Sequence, residues 1–289
     1  MLVSIFIPTK DRRSQLQAAI DSVRTQTYSE WEIIVVNDGS SDDTKSYLEQ
    51  LVAAEPRIRA IHHEHSVGAP RSRNEAIRLA RGEWLTGLDD DDQFKPLRLE
   101  FLLRYAVLLE RSDTPYSAVF TQAELILPHG KTISRRRASV HLEDEFVGNA
   151  VGNELFARRQ NFIDIGLYDE SLPAWQDLDL AMRMVDKFGP ARLIDAPLFV
   201  FADDDRPDRI SRKKKTQILA AYRIVRAKWP NVNKLLRQKL YLQVLSAYYG
   251  FPLEFADLWR YFSMGFSVAS VLSLLQTLRR RRQRRQQSQ

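Results

Sequence analysis

Apolar residues open this chain in short blocks, separated by stretches with helical spacing. Residues 2–8 form an apolar, β-branched run that reads as a buried strand. Leu16, Ala19, Ile20 and Val23 then recur on one face of a helix over 12–25. Residues 31–36 read as a second buried strand, ending at the turn Asn37-Asp38-Gly39-Ser40. Ser41-Asp42-Asp43-Thr44 is suited to cap a helix over 45–54. A third strand at 57–62 and a third helix at 69–81 follow, then a turn at Gly82-Glu83 and a short buried strand ending at Leu88. This alternation predicts a doubly wound α/β domain with its loops gathered at one end of the sheet.

Further along, 96–109 reads as a helix and 117–126 as a strand, with His129-Gly130 as a hairpin turn. Residues 131–145 are polar and charged and are expected to form a loop beside an acceptor. Order resumes over 156–165, with a helix at 176–189 and a strand at 191–199. Beyond about residue 210 the pattern is helical and basic.

Charge sharpens this division. The net charge of +6 combines an acidic 1–200, with 24 Lys and Arg against 31 Asp and Glu, and a basic 201–289, with 19 against 6. A basic tail suits anionic lipid or nucleic acid, and no nucleic-acid recognition module precedes it. The absence of cysteine excludes a disulfide framework, a thiolate metal site and a cysteine nucleophile. The apolar run directly after Met1 has no basic leader, so no secretory signal is expected. Residues 262–278 carry no charge and precede Arg279-Arg280-Arg281-Arg282-Gln283-Arg284-Arg285. At 17 residues with several serines, the stretch is short of the roughly 20 apolar residues of a membrane span. It reads as a helix lying in the interface of an anionic membrane, the alternative being a core or oligomer-contact helix.

Candidate chemistry lies at the strand ends. Asp89-Asp90-Asp91-Asp92 follows the fourth strand, where open α/β sheets bind ligands. Clustered carboxylates there suit a hard divalent cation such as Mg²⁺ or Mn²⁺ working with phosphates. Pro8-Thr9-Lys10-Asp11-Arg12 follows the first strand without any glycine, so the dinucleotide fingerprint is absent, as is the P-loop. Asp38 could accept hydrogen bonds from a base or ribose, or serve only in the turn. Asp177 and Asp179 open the helix at 176, where carboxylates suit the helix dipole; Asp177 is also a candidate general base. Arg183 is expected to pair with an acid.

The segments 3–12, 26–42, 68–74, 82–85, 88–92 and 166–183 occur in an order that resembles family 2 glycosyltransferases. The resemblance covers about residues 1–200. It implies the GT-A nucleotide-sugar fold, with a mixed, mainly parallel sheet, and an inverting, metal-dependent hexosyltransferase-type enzyme. The catalytic domain would span 1–210, with a nucleotide-binding part of about 1–95 and an acceptor-side part of about 96–210. Residues 211–289 would be a helical basic extension. By the same resemblance, Pro8, Thr9, Asp11 and Asp38 would contact nucleotide, helped by Arg71 or Arg73. Asp89 would lie near ribose or sugar, Asp90 beside it, and Asp91 on the cation (Mn²⁺ or Mg²⁺). Asp177 would be the base, beside Gln176 where relatives usually carry Glu. Asp203–Asp205 stand where relatives often carry histidine.

A UDP-sugar is the favoured donor. The implied acceptor is a saccharide, often polyprenyl-diphosphate-linked, in bacterial surface-polysaccharide assembly. The implied location is cytoplasmic, peripheral on the inner face of the inner membrane. Without several membrane spans or a Gln-x-x-Arg-Trp segment, single transfer is expected over polymerisation. The alternative is a catalytically silent nucleotide-sugar-binding scaffold.

Overall fold

A computed structural model describes residues 1–127, 130–202 and 213–287 of the chain, so His129 of the expected hairpin turn and Asp203–Asp205 lie outside the described residues. In chain order the elements are β1 (Val3–Thr9), α1 (Arg13–Arg24), β2 (Trp31–Asn37), α2 (Thr44–Ala54), β3 (Ile58–His62), α3 (Ala69–Leu79) and β4 (Trp84–Gly87). Then come β5 (Gln93–Phe94), α4 (Arg98–Arg111), β6 (Val119–Leu127), β7 (Gly130–Ile133), β8 (Ser139–Val140) and α5 (Leu142–Val147). β9 (Phe156–Arg158), α6 (Arg159–Asp164), α7 (Gln176–Phe188) and β10 (Ala191–Ala202) complete the sheet region, and α8 (Lys215–Lys228), α9 (Lys234–Val244), α10 (Phe255–Ser263) and α11 (Val268–Gln287) follow.

The chain divides into two compact units. The first, Met1–His141, Ala150–Glu170 and Asp177–Asp204, contains a ten-stranded mixed sheet ordered β3-β2-β1-β4-β9-β6-β10-β5, with β7 on β6 and β8 on β10. β3, β2, β1 and β4 run parallel, β9 is antiparallel between β4 and β6, and β10 is parallel to β6. The ends of β1, β2 and β4 therefore open on one edge, where their following loops meet. β1 and β2 are apolar without alternation because both faces are covered; Ile5, Ile7, Ile33 and Val35 join Leu16, Ile20 and Val23 of α1 in the core.

Two expectations fail here. Residues 131–145 are not a loop: Lys131, Thr132 and Ile133 extend β7 against Glu124, Leu125 and Ile126, and β8 pairs with Ala191 and Arg192. Pairing with neighbouring strands supplies the order that their exposed, polar sequence does not advertise. Nor is 262–278 one helix. α10 ends at Ser263 and α11 starts at Val268, with Gly265 between them at φ +151°.

The second unit, Leu142–Asn149, Ser171–Gln176 and Asp205–Gln289, contains α5 and α8 to α11 among its described residues. Its core joins Ile218, Tyr222 and Val225 of α8 to Leu240, Tyr241 and Val244 of α9. Asp257 accepts from Tyr241 Oη at 2.8 Å and pairs with Lys215 at 2.8 Å. The arginine-rich segment continues α11, and Arg281 is buried, donating to the carbonyls of Leu245 and Phe251. No helix among the described residues is long and apolar enough to cross a membrane.

Candidate active site

The acidic turn after β4 is held from two sides. Asp90 faces β1: it accepts from Thr9 Oγ1 at 2.8 Å and from Arg12 Nη1 at 2.9 Å. Burial pushes its carboxyl up to about 6, against the pull of Arg12 and Thr9. Asp89 faces the other way. Its Oδ1 accepts from Arg73 Nη2 at 2.7 Å and its Oδ2 from Asn153 Nδ2 at 2.6 Å. Gly87 makes that second contact possible, since a Cβ there would stand 3.1 Å from the Asn153 carbonyl and 2.9 Å from the Phe6 ring.

The Asn153 loop is itself anchored from below. The fully buried guanidinium of Arg98 donates to Thr121 Oγ1 and, at 3.3 Å, to the Glu154 carbonyl. Arg136 pairs with the Glu154 carboxylate.

Arg73 connects the acidic turn to Asp177. It lies buried on α3, stacks over the Tyr168 ring at 5.3 Å, and places Nη1 3.7 Å from Asp177 Oδ1. That oxygen is buried and has no hydrogen-bond partner. Burial raises the Asp177 carboxyl above its ordinary value; Arg73 opposes the shift and Asp89 adds to it. A carboxylate whose pKa is raised in this way is a better proton acceptor than an ordinary aspartate.

Helix α3 is fixed at its start and along its side. Asp38, at the end of β2, accepts from Ser66 Oγ at 2.6 Å and from the amides of Val67 at 2.8 Å and Gly68 at 2.9 Å. His63 Nδ1 stands 2.9 Å from the same carboxylate, and its Nε2 stands 2.7 Å from Glu75. Burial works against the Asp38 charge, but these bonds outweigh it and bring the carboxyl down to about 2. Gly39 (φ +72°) lets the loop pass: a Cβ would meet Ser66 N at 2.8 Å. Along its side, in mid-helix, Asn74 exchanges hydrogen bonds with the Tyr168 backbone at 2.8 and 2.9 Å and donates to Glu170 at 2.9 Å.

The structure thus brings together Thr9, Arg73, Asp89, Asp90 and Asp177, residues up to 168 positions apart in sequence. Asp91 and Asp92 share the acidic turn, and one oxygen each of Asp89, Asp91 and Asp92 lies within 4.8 Å of the others. That all-oxygen set fits a hard divalent cation. Asp91 is half-buried while Asp92 is buried. Asp11 is exposed and accepts from the Ser41 amide at 2.6 Å and hydroxyl at 2.9 Å, holding the 8–12 loop to the 37–44 loop. Pro8 is half-buried at the end of β1. Arg71 is exposed on the first turn of α3, so of these two α3 arginines it is Arg73 that lies among the acids.

Gln176 donates to the Leu172 carbonyl at 3.1 Å, and Asp179 is buried against Arg183 at 2.7 Å. Sequence reasoning missed Asn153, Asn74, Tyr168 and Arg98. Asn74 and Tyr168 lay in segments already singled out, 68–74 and 166–183, whereas Asn153 and Arg98 did not.

This fold and acidic turn define a GT-A nucleotide-sugar enzyme. A solved structure of S. aureus TarS 1–349 in complex with UDP-GlcNAc superposes with a TM-score of 0.72 at 16% identity, covering 91% of this chain and 79% of that one. The model of the glycosyl transferase family 2 matches residues 4–138. WcaA, a glycosyl transferase of Escherichia coli (strain K12) named for colanic acid biosynthesis, is 36% identical over 197 residues, 65% of this chain and 67% of its own length. WfgD of Escherichia coli, a UDP-Glc:alpha-D-GlcNAc-diphosphoundecaprenol beta-1,3-glucosyltransferase, is 37% identical over 99 residues, 34% of this chain and 38% of its own. The chain belongs to glycosyltransferase family 2. It is an inverting enzyme that transfers a sugar from a nucleotide-sugar donor to an acceptor.

Proposed function

We propose that the protein moves one sugar from a UDP-sugar to a saccharide carried on a polyprenyl diphosphate, in the assembly of a surface polysaccharide such as lipopolysaccharide O-antigen. The observation that carries this reading is the Arg73 bridge, which sets Asp177 beside the acidic turn across a buried guanidinium. UDP and a lipid-linked acceptor are favoured by the likeness to WfgD and the order of the family motifs.

In this reading Pro8, Thr9, Asp11 and Asp38 shape the nucleoside end, Asp38 by holding the 63–68 loop against β2. Asp91 would hold a divalent cation, supported by Asp92, and such an ion would supply positive charge for the departing diphosphate. Asp89 is already occupied by Arg73 and Asn153, which suits it to orienting ribose or sugar. Asp90 locks the turn to β1. Asp177 takes the proton of the acceptor hydroxyl as it attacks the anomeric carbon from the face opposite the leaving group. Gln176, in place of a second acid, removes one like charge from beside that base.

Residues 1–210 form the catalytic domain in this reading, and 211–289 an extension. The enzyme works on the cytoplasmic face of the inner membrane, where a polyprenyl-linked acceptor resides.

Donor hydrolysis across UDP-, dTDP- and GDP-sugars, with Mn²⁺, Mg²⁺ or EDTA, tests the proposal. Metal-dependent cleavage of a UDP-sugar, lost in Asp91→Asn, is the expected result. Metal-independent cleavage, or equal turnover by the variant, would remove Asp91 from the site.

A further inference from the structure

The second unit carries a large apolar surface on α10 and α11. Phe255 is 82% exposed, Trp259 68%, Phe266 79% and Val268 77%; Leu272 and Leu275 are exposed beside them. The inward sides of both helices are taken. Asp257 and Tyr261 of α10 are buried, and Gln238 of α9 donates to the carbonyls of Tyr261 at 3.0 Å and Gly265 at 2.6 Å. Tyr261 Oη in turn donates to the Ser270 carbonyl of α11 at 2.8 Å, and Ser270 and Leu274 are buried.

On α11 the outer positions Val268, Leu272, Leu275, Arg279 and Arg282 fall at i, i+4, i+7, i+11 and i+14, one stripe of a 3.6-residue helix. The stripe is apolar for two turns and then cationic. The break at Gly265 explains how serines fit such a surface. Ser267 and Ser270 cap each other, with amide-to-hydroxyl bonds of 2.9 and 3.1 Å, so these polar groups are satisfied among themselves.

We propose that this face is a docking surface for an anionic lipid bilayer. Phe255, Trp259, Phe266 and Val268 enter the headgroup boundary, and Arg279 and Arg282 lie against the lipid charge. Exposed aromatics on α10 and in the turn after it, with an apolar and then cationic stripe on α11, suit that boundary. Charge selects the bilayer over a second copy: 201–289 carry 19 Lys and Arg against 6 acids, so two such faces would meet with like charge. The proposal rests on the peripheral-membrane reading above and does not depend on the transfer chemistry.

The test is sedimentation of the full chain with phosphatidylcholine vesicles, with and without phosphatidylglycerol, alongside donor hydrolysis. Binding is expected only with phosphatidylglycerol and should be reversed by salt. Phe255→Ser with Trp259→Ser should lower the partition by about tenfold or more, as expected on losing large aromatic anchors. Arg279→Gln with Arg282→Gln should weaken the lipid-charge dependence. All four side chains are exposed, so unchanged melting and hydrolysis are the controls.

A wild-type chain that hydrolyses donor but ignores both vesicles overturns the docking surface and the peripheral reading together. Equal vesicle binding by the aromatic double variant overturns the surface alone. Self-association in sedimentation velocity, lost in that variant and without lipid binding, identifies a second copy as the occupant and overturns the proposal.

Discussion

Replacing Asp177 with Asn separates the base from every other role its carboxylate could have. The amide keeps the size of the side chain, removes the charge and exchanges one acceptor oxygen for an NH2 donor. Asp177 Oδ1 is buried with no hydrogen-bond partner, 3.7 Å from Arg73. Arg73 keeps its closer contact, 2.7 Å to Asp89, so the variant does not strand a buried cation. Burial already disfavours the Asp177 charge in the folded state, outweighing the help from Arg73. At neutral pH the carboxylate therefore opposes folding, and its neutral replacement is expected to leave stability unchanged or higher.

Catalysis should move the opposite way. Loss of a positioned general base costs about 100- to 10,000-fold in kcat, or about 3–5 kcal/mol of transition-state stabilisation. Single-turnover transfer to a polyprenyl-diphosphate saccharide measures the first quantity, calorimetric melting the second and nucleotide-sugar titration donor affinity. A fall in kcat of less than about tenfold would refute the assignment. So would a Tm drop beyond about 2–4 °C, roughly 1 kcal/mol here, because Asp177 would then be structural. In the wild-type enzyme the acid limb of the pH–rate profile should lie above the ordinary aspartate value of 3.8, since the base must be ionised and burial holds its pKa up. That limb should vanish from the residual activity of the variant.

Arg183→Ala removes the ion pair that Arg183 makes with the buried Asp179 and releases the carbonyls of Ile165 and Leu167. Because Arg183 is partly exposed, the expected cost is at the low end of the range for broken buried pairs, about 3 kcal/mol. This corresponds to a Tm lower by roughly 6–12 °C; an unchanged melt would remove the pair from the fold's support. Gly39→Ala forces a side chain into φ +72° and within 2.8 Å of Ser66 N, and should cost at least about 1–2 kcal/mol with weakened donor binding. The 63–68 clamp should weaken at both pH extremes. Asp38, lowered to about 2, contributes about 2 kcal/mol that is present above 3.8 and lost as pH falls through 2. His63 is raised above 6.5 by Asp38 and Glu75 despite burial, so its contribution is full below 6.5 and lost as pH rises through the raised value. Exchange protection of the Val67 and Gly68 amides reads both limbs, and a flat profile would count against the clamp.

How much of this was readable beforehand depended on where each element finds its stabilisation. β1, β2 and α1 declare themselves because parallel strands covered on both faces need unbroken apolar runs, and the covering helix needs a 3.6-residue period. The acidic turn is equally legible, since four adjacent carboxylates are a local feature. β7 is not, because Gly130, Lys131, Thr132 and Ile133 are all exposed and owe their order to hydrogen bonds with β6. The break between α10 and α11 escaped for a related reason. Gly265 and the serines are compatible with a continuous helix, and the reciprocal cap of Ser267 and Ser270 exists only once the chain has turned.

The site divides along the same line, and α3 explains why. Arg73 and Asn74 are adjacent, yet the first reaches Asp89 and Asp177 while the second holds the Tyr168–Glu170 loop that leads towards α7. Sequence could mark each acid as a candidate from its own surroundings, but neither acid carries any local sign of the other. What relates them is one buried cation on a helix whose start is fixed by Asp38 and whose side is fixed by Asn74. A change at either anchor should therefore disturb donor-side and acceptor-side chemistry together, whereas a change at Asp91 or Asp177 should disturb only one.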